Sequence, residues 1–155
     1  MIKVLFVCWG NICRSPMGEF ILKDMVEKRG LSDMFHIESK ATSTEEIGNP
    51  VYPPARAELR KHGISCDGHH ARQIVKSDYD NFDYIIGMED IHINIMKNRF
   101  FGQDDENKLH LCMEFAGRDG EQVDDPWYTG DFSGVYAQIT SACEGLIERA
   151  LSEIK

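Results

Sequence analysis

The sequence predicts an α/β fold in which a parallel sheet is covered by helices on both faces. Short, nearly continuous apolar runs at 2–7, 83–88 and 108–112 are typical of strands that are buried on both sides. Segments with helical periodicity lie between these runs, and strands that alternate with helices indicate parallel pairing. The length of 155 residues fits one compact domain, which we expect to span residues 1–155.

Four strands and at least three helices account for the pattern. The strands are predicted at 2–7, 36–39, 83–88 and 108–112. The first helix is expected to take Ser15 as its N-cap, to have Pro16 at its first helical position and to stop at Gly30. A second helix is predicted at 53–59. The last is the clearest, because apolar residues recur at helical spacing over 132–154.

Composition excludes several classes of protein. The formal net charge of −9 opposes nucleic-acid binding, which needs a basic surface that neutralises phosphates. The five cysteines include no C-x-x-C pair and fit neither a disulfide framework nor a zinc site. We therefore expect reduced thiols, a cytoplasmic location and no bound metal. The apolar stretch at 2–8 is too short to span a membrane, and neither a targeting signal nor a membrane partner is expected.

The segment 7–16, VCWGNICRSP, carries the most specific chemical signal. Cys8 ends a predicted buried strand, and five residues separate it from Arg14 at a predicted helix N-terminus. The N–H groups of so short a loop can converge on a tetrahedral oxyanion, and Gly10 allows close backbone approach. The positive electrostatic field of these N–H groups also favours the nucleophilic thiolate of the cysteine over its thiol. The planar guanidinium of an arginine can hold two phosphate oxygens at once. A core cysteine and a surface arginine are the simpler interpretation of either residue alone, but not of the pair.

Asp125 is the candidate proton donor. Displacing a phenolate from phosphorus requires an acid for the leaving oxygen. Asp125 belongs to a Gly- and Asp-rich segment between the fourth strand and the last helix, so it is expected in a loop. Trp127 and Tyr128, which follow it, could line a slot for an aromatic ring. Without Cys8 and Arg14, a solvated acidic turn would be the simpler interpretation of this segment.

These two segments resemble the low-molecular-weight protein tyrosine phosphatases, and the resemblance runs nearly end to end. A C-x5-R-S loop directly after the first strand, with a late Asp-Pro-aromatic-Tyr, is highly specific to this family. The resemblance implies a flavodoxin-like three-layer domain with a four-stranded parallel sheet, no metal and no cofactor. It also implies hydrolysis of phosphotyrosine on proteins, or of small aryl phosphates, through a phosphocysteine intermediate.

The resemblance further implies a role for each residue of the two segments. Cys8 would be the nucleophile, Arg14 the ligand of the phosphoryl oxygens, and Asp125 the general acid and then base. The residues implied to bind the phosphate or the aromatic ring are Trp9, Gly10, Asn11, Ile12, Cys13, Ser15, Trp127 and Tyr128. Ser39 and His69 would support the loop.

Three alternatives stay open at this point. An arsenate reductase of similar fold needs relay cysteines, whereas Cys112 and Cys143 lie far apart in the sequence. A protein arginine phosphatase of similar fold tends to carry threonine where this chain has Ile12. A non-catalytic phosphate-binding module would need neither a nucleophile nor an acid. In the family, the thiols matching Cys8 and Cys13 can form a reversible disulfide, and simple packing is the alternative for Cys13.

The departures from the family pattern concentrate around the predicted pocket mouth. Glu45 and Glu46 stand where an aromatic residue followed by Asn or His is common. Trp9 replaces a usual leucine or threonine, and Glu89 a usual aspartate. These changes concern substrate preference rather than reaction chemistry. Because Glu45 and Glu46 add negative charge, we expect acidic residues beside the phosphotyrosine to be disfavoured.

Overall fold

The computed structural model describes residues 1–154, in which strands and helices alternate as the sequence predicts. The strands are β1 (Ile2–Cys8), β2 (Phe35–Ala41), β3 (Tyr84–Gly87) and β4 (Leu109–Leu111). The α-helices are α1 (Arg14–Lys28), α2 (Pro53–Lys61), α3 (Asp78–Asn81), α4 (Asp90–Ile95), α5 (Pro126–Thr129) and α6 (Phe132–Glu153). Two 3-10 turns (Ser32–Met34 and Cys112–Ala116) and one π-helical turn (Met96–Phe101) complete the described helical segments.

The four strands form one parallel sheet in the order β2-β1-β3-β4. β1 pairs with β2 from Ile2 opposite Phe35 to Cys8 opposite Ala41. On its other side β1 pairs with β3, which in turn pairs with β4. The order reverses between β1 and β3, and ligands of open α/β sheets bind beyond the carboxyl ends of strands at such a point. The predicted fold class is confirmed, and the sheet alone points to the segment after Cys8.

Helices cover both faces of the sheet, which makes three layers. Alternate side chains of β1 point to opposite faces, as in any strand. Val4, Phe6 and Cys8 belong to an apolar cluster built with α1, α2 and α6. Leu5 and Val7 belong to a second cluster, on the other face, with residues around α3 and the π-helical turn. Cys8 therefore ends β1 on the face that α1 covers.

Helix α1 begins at Arg14 rather than after Ser15, so the predicted N-cap is wrong. The N-cap is Cys13, and no capping hydrogen bond from its side chain occurs within the described chain. Ser15 lies in the first turn, where its hydroxyl contacts Cys8 and Asn11. The capping rule fails here because the free N–H groups of this turn border the loop, where a bound anion can satisfy them.

Gly18 lets α1 lie directly against β1. A Cβ added at Gly18 would come within 2.6 Å of the Phe6 ring, closer than side-chain carbons approach in proteins. Since Gly18 is in the first half of α1, this close approach sets the position of the helix N-terminus relative to the end of β1. The sequence shows the glycine but not the partner that requires it.

Candidate active site

A cavity of about 260 Å³ opens at the carboxyl end of β1. It brings together the two segments that the sequence singled out, although more than a hundred residues separate them. Its lining residues are Cys8, Trp9, Gly10, Ile12, Cys13, Arg14, Glu45, Glu46, Asp125, Trp127 and Tyr128. A larger cavity, of about 770 Å³, lies at the opposite end of the sheet near Ile2 and Tyr84, but its described lining includes no cysteine.

A buried hydrogen-bond network fixes the loop between Cys8 and Ser15. Asn11 has a φ of +59°, in the left-handed region that Asn tolerates better than most side chains. Its Nδ2 donates to Ser15 Oγ at 2.8 Å and to Ser39 Oγ at 2.9 Å. Its Oδ1 accepts from the backbone N–H of Arg72 at 3.2 Å. The Asn11 side chain is wholly buried and outside the cavity lining, so it shapes the loop from behind.

The two cysteines of this loop have different surroundings. Cys8 Sγ lies 3.0 Å from Ser15 Oγ. Because Ser15 Oγ accepts from Asn11, its own proton is free to be donated to the sulfur. Burial, together with the charges of Cys8 and Asp125, raises the pKa of the Cys13 thiol to about 12. Cys13 is therefore a thiol at neutral pH. All five cysteines lie within the described residues and are free thiols.

His69 and Ser39 lie behind the loop, together with Glu19. His69 Nε2 donates to the carbonyl oxygen of Asn11 at 2.8 Å, and burial lowers the pKa of His69, which favours the neutral ring. Ser39 Oγ donates to Glu19 Oε1 at 2.5 Å. Lys23 pairs with the other oxygen of Glu19. Sequence reasoning missed Glu19, whose only signal is an acidic residue close to the buried face of a predicted helix.

Arg14 lies at the centre of a second group of contacts. Its guanidinium NH2 is 2.7 Å from Glu89 Oε2 and 3.5 Å from Asp125 Oδ2. Its NH1 donates to the carbonyl oxygen of Val123 at 2.9 Å, and the N–H of Val123 bonds to Met88 O at the end of β3. Arg14 is 4% exposed, so these contacts hold it in one orientation. Sequence reasoning noted Glu89 only as a departure, although an acidic residue directly after the strand predicted at 83–88 was the available signal.

His92 holds Glu89 in place. Glu89 is the N-cap of α4 and forms a reciprocal capping box with His92, the third residue of that helix. His92 Nδ1 accepts from the backbone N–H of Glu89 at 3.1 Å. Burial, together with the charge of Arg14, lowers the pKa of His92 to about 4. The ring is therefore neutral at physiological pH, as its acceptor role requires.

Asp125 lines the same cavity. It is the N-cap of α5, and its Oδ1 accepts from the N–H of Trp127 at 3.0 Å. Pro126 occupies the first position of that short helix. The other carboxylate oxygen, Oδ2, lies 3.5 Å from NH2 of Arg14. Asp124, the adjacent acid, is exposed and is not among the residues that line the cavity.

Aromatic side chains frame the cavity mouth. Trp9 Nε1 donates to Glu45 Oε2 at 2.9 Å on one side. On the other side the ring of Trp127 packs against Tyr52, with centroids 4.8 Å apart. Trp9, Trp127 and Tyr128 are 43%, 55% and 85% exposed, so their rings are free to contact a ligand. Such a mouth suits a flat aromatic group whose phosphate reaches the loop below.

Neither a metal-binding cluster nor a membrane-spanning helix occurs in the described part of the chain. Within residues 1–154, His, Cys, Asp and Glu side chains form no group of three or more that could hold a metal ion. Across the same residues, none of the helices combines the length and the apolar composition that a membrane crossing requires.

Comparison with known proteins identifies the family. The family model described as "Low molecular weight phosphotyrosine protein phosphatase" matches residues 3–155. The chain belongs to this family. It is 40% identical over 147 residues to the low molecular weight protein-tyrosine-phosphatase YfkJ of Bacillus subtilis, with 95% of this chain and 94% of that protein covered. It is 36% identical over 150 residues to the low molecular weight phosphotyrosine protein phosphatase of Gallus gallus, with 95% and 94% covered.

Crystal structures of similar proteins share the fold of this phosphatase. The structure of YfkJ superposes with a TM-score of 0.95 at 38% identity, covering 100% of this chain and 98% of that one. A structure described as DARP, drosophila arginine phosphatase, gives a TM-score of 0.85 at 32% identity and covers 96% and 98%. The enzyme class that the resemblance implied, protein tyrosine phosphatase, is therefore confirmed.

Proposed function

We propose that Cys8, Arg14 and Asp125 carry out the phosphotyrosine hydrolysis that defines the family. The observation that carries this proposal is their convergence on one cavity. Cys8 Sγ lies beside a donor hydroxyl at 3.0 Å, and Arg14 lies between the loop and Asp125. Substrates are phosphotyrosine-containing proteins, and small aryl phosphates are hydrolysed by the same steps.

In the first step the phosphoryl group moves from tyrosine to Cys8. The thiolate attacks phosphorus in line, so an S–P bond forms as the P–O bond to the phenol breaks. The loop N–H groups and Arg14 hold the equatorial oxygens as charge builds on them. Asp125 gives its proton to the departing phenolate oxygen, and a phosphocysteine results.

In the second step water releases the phosphate. Asp125, now a carboxylate, accepts a proton from the attacking water while its oxygen bonds to phosphorus. The P–S bond breaks, inorganic phosphate leaves and the Cys8 thiolate is restored. The Ser15 hydroxyl, 3.0 Å from Cys8 Sγ, stabilises the sulfur as a leaving group because it donates to the returning thiolate.

The same reasoning extends to the setting of the enzyme. We place it in the cytoplasm as a single domain over residues 1–155, and the five free thiols support a reducing compartment. The net charge of −9 supports protein substrates over nucleic acid. Neither metal nor cofactor takes part in the two steps.

Hydrolysis of phosphoarginine is the second candidate, favoured by the similarity to the drosophila arginine phosphatase. Ile12 lines the cavity and presents an apolar surface to the leaving group, which suits a phenyl ring better than a guanidinium. We expect phosphotyrosine peptides to be hydrolysed faster than phosphoarginine or phosphoserine peptides of the same sequence. Initial rates on the three peptides, with arsenate reduction measured in parallel, test this. A faster rate on phosphoarginine would reject phosphotyrosine as the preferred substrate.

Replacing Asp125 by asparagine tests the assignment of the general acid. We expect the rate of Asp125→Asn to fall more steeply as the leaving phenol becomes less acidic, because poor leaving groups need the proton most. Losses of about 10²- to 10⁴-fold are typical of a missing general acid. The measurement is the rate of Cys8 phosphorylation across aryl phosphates with phenols of different acidity.

The adjacent acid provides a matched control. Asp124→Asn makes the same chemical change one residue away, on an exposed side chain outside the cavity lining. We expect it to leave the dependence on the leaving group close to that of the parent enzyme. Equal losses from the two variants would reject Asp125 as the proton donor.

A further inference from the structure

A second groove continues directly from the active-site cavity. It has a volume of about 550 Å³, and Ile12, Glu46 and Trp127 line both spaces. We call it the α2 groove, defined by those three residues, the segment 49–53, and Arg56, Ala57 and Arg60 of α2. A peptide whose phosphotyrosine occupies the cavity can therefore enter this groove with the residues on one side of it.

The near wall of the α2 groove is fixed to the catalytic loop. The N–H of Tyr52 bonds to the carbonyl oxygen of Ile12 at 2.8 Å. The Tyr52 ring also packs against Trp127, the aromatic side chain that both spaces share. This wall is held to the catalytic loop, so a ligand in the groove and a phosphate in the cavity have a defined separation.

The far wall carries two arginines on one helix face. Arg56 and Arg60 are four residues apart in α2, so they are neighbours about 6 Å apart along the helix axis. Both side chains are exposed. Arg56 lies 3.3 Å from Asp67, but the two side chains are 50% and 77% exposed, and such surface pairs are weak. Within residues 1–154, Arg60 has no carboxylate at ion-pair distance.

The charges around the mouth are therefore unevenly distributed. Glu45 lines the cavity but not the α2 groove. Glu46 lines both, and its carboxylate accepts from the Asn49 side chain at 2.8 Å. The described lining of the α2 groove holds Arg56, Arg60 and one carboxylate, that of Glu46. Asp67, outside the lining, pairs weakly with Arg56, so Arg60 supplies the free positive charge of the groove, in a protein whose net charge is −9. An acidic side chain is thus favoured in the groove and disfavoured beside Glu45.

We propose that the α2 groove is a substrate subsite for an acidic side chain, a carboxylate of the peptide that lies within a few residues of the phosphotyrosine. The carboxylate contacts Arg60, with Arg56 adding to the local field. The inference rests on the proposed function, since the peptide is placed by its phosphotyrosine. The sequence alone predicts that acidic residues on either side of the phosphotyrosine are disfavoured. The subsite instead predicts repulsion of the acidic residues that lie near Glu45 and attraction of those that enter the α2 groove.

A glutamate scan on a phosphotyrosine peptide tests the subsite. Glutamate replaces alanine, one position at a time, over four residues on each side of the phosphotyrosine, and kcat/KM is measured at low salt. We expect about a three- to fivefold gain at one or two positions on one side only, the size of a single exposed ion pair. The gain should shrink at high salt, because salt screens exposed charges.

Arg60→Gln should remove this gain, measured as the ratio of kcat/KM between the glutamate and alanine peptides. Lys61→Gln is the matched control, since it removes the same charge from the next residue, whose side chain pairs with Glu58 outside the groove. We expect Lys61→Gln to keep the parental ratio. Equal ratios in the parent and Arg60→Gln, or the same loss in Lys61→Gln, would overturn the subsite. Failure of the parent to hydrolyse the alanine peptide would instead reject the proposed function.

Discussion

Cys8→Ser is expected to abolish turnover while inorganic phosphate still binds. The sulfur is the atom that accepts the phosphoryl group, and a hydroxyl in its place is far less nucleophilic at neutral pH. Losses of several orders of magnitude, on the order of 10⁶ in kcat, are known when a nucleophile is removed. The loop is held by Asn11 and Ser39 rather than by Cys8, so its N–H groups keep their positions. Steady-state rates on an aryl phosphate and calorimetric titration with phosphate measure the two properties.

Cys13→Ser is the control for this result. It makes the same change at the second thiol of the loop, which also lines the cavity. Because burial raises the pKa of Cys13 to about 12, this thiol is protonated and takes no part as a nucleophile. We expect its replacement to cost far less turnover. Near-normal turnover by Cys8→Ser, or equal losses in the two variants, would rule out Cys8 as the nucleophile.

Arg14→Lys is expected to lower kcat/KM for a phosphotyrosine peptide by about 10²- to 10³-fold, the usual cost of one lost transition-state donor. The guanidinium contacts Glu89 through NH2 and the Val123 carbonyl through NH1. Arg14 also lines the cavity in which the phosphoryl group is expected to bind. An ammonium group is a point charge and cannot span these partners while it also holds two phosphoryl oxygens. Thermal unfolding of the variant separates this effect from a loss of the folded state.

Arg72→Lys is a suitable comparison for Arg14→Lys. The Arg72 side chain is half exposed and pairs with Glu38 at 2.6 Å, while only its backbone N–H contacts Asn11. The same arginine-to-lysine change should therefore leave kcat/KM within about twofold, as for most surface substitutions. If Arg14→Lys also stayed within a few-fold of the parent, the role proposed for its guanidinium would be wrong.

The sequence predicts the sheet and the two chemical segments because both depend on local patterns. Apolar runs mark buried strands, and Cys8 and Arg14 stand on either side of one short loop. By contrast, Glu19, Glu89 and His92 act through contacts with other elements. Their positions depend on how α1 and α4 pack on the sheet, which no local pattern specifies.

The wrong N-cap at Ser15 has a related cause. Propensity rules assume that a serine near a helix start bonds to the helix backbone. Here the serine hydroxyl contacts Cys8 and Asn11, partners that come together only when the loop closes. The Ser15 hydroxyl could either cap the helix backbone or bond to the catalytic loop, and in this structure it bonds to the loop. Departures of this kind are expected where a protein binds its ligand.

The distribution of the cysteines has a consequence for chemical labelling. Cys66, Cys112 and Cys143 are buried away from the cavity, and burial raises the pKa of each. Cys13 shares the cavity but is a protonated thiol. An electrophile small enough to enter through the aromatic mouth therefore meets a single reactive sulfur, that of Cys8. Mild alkylation should modify one site per chain, and bound phosphate should protect it, so the extent of labelling counts the enzyme molecules whose active site is open.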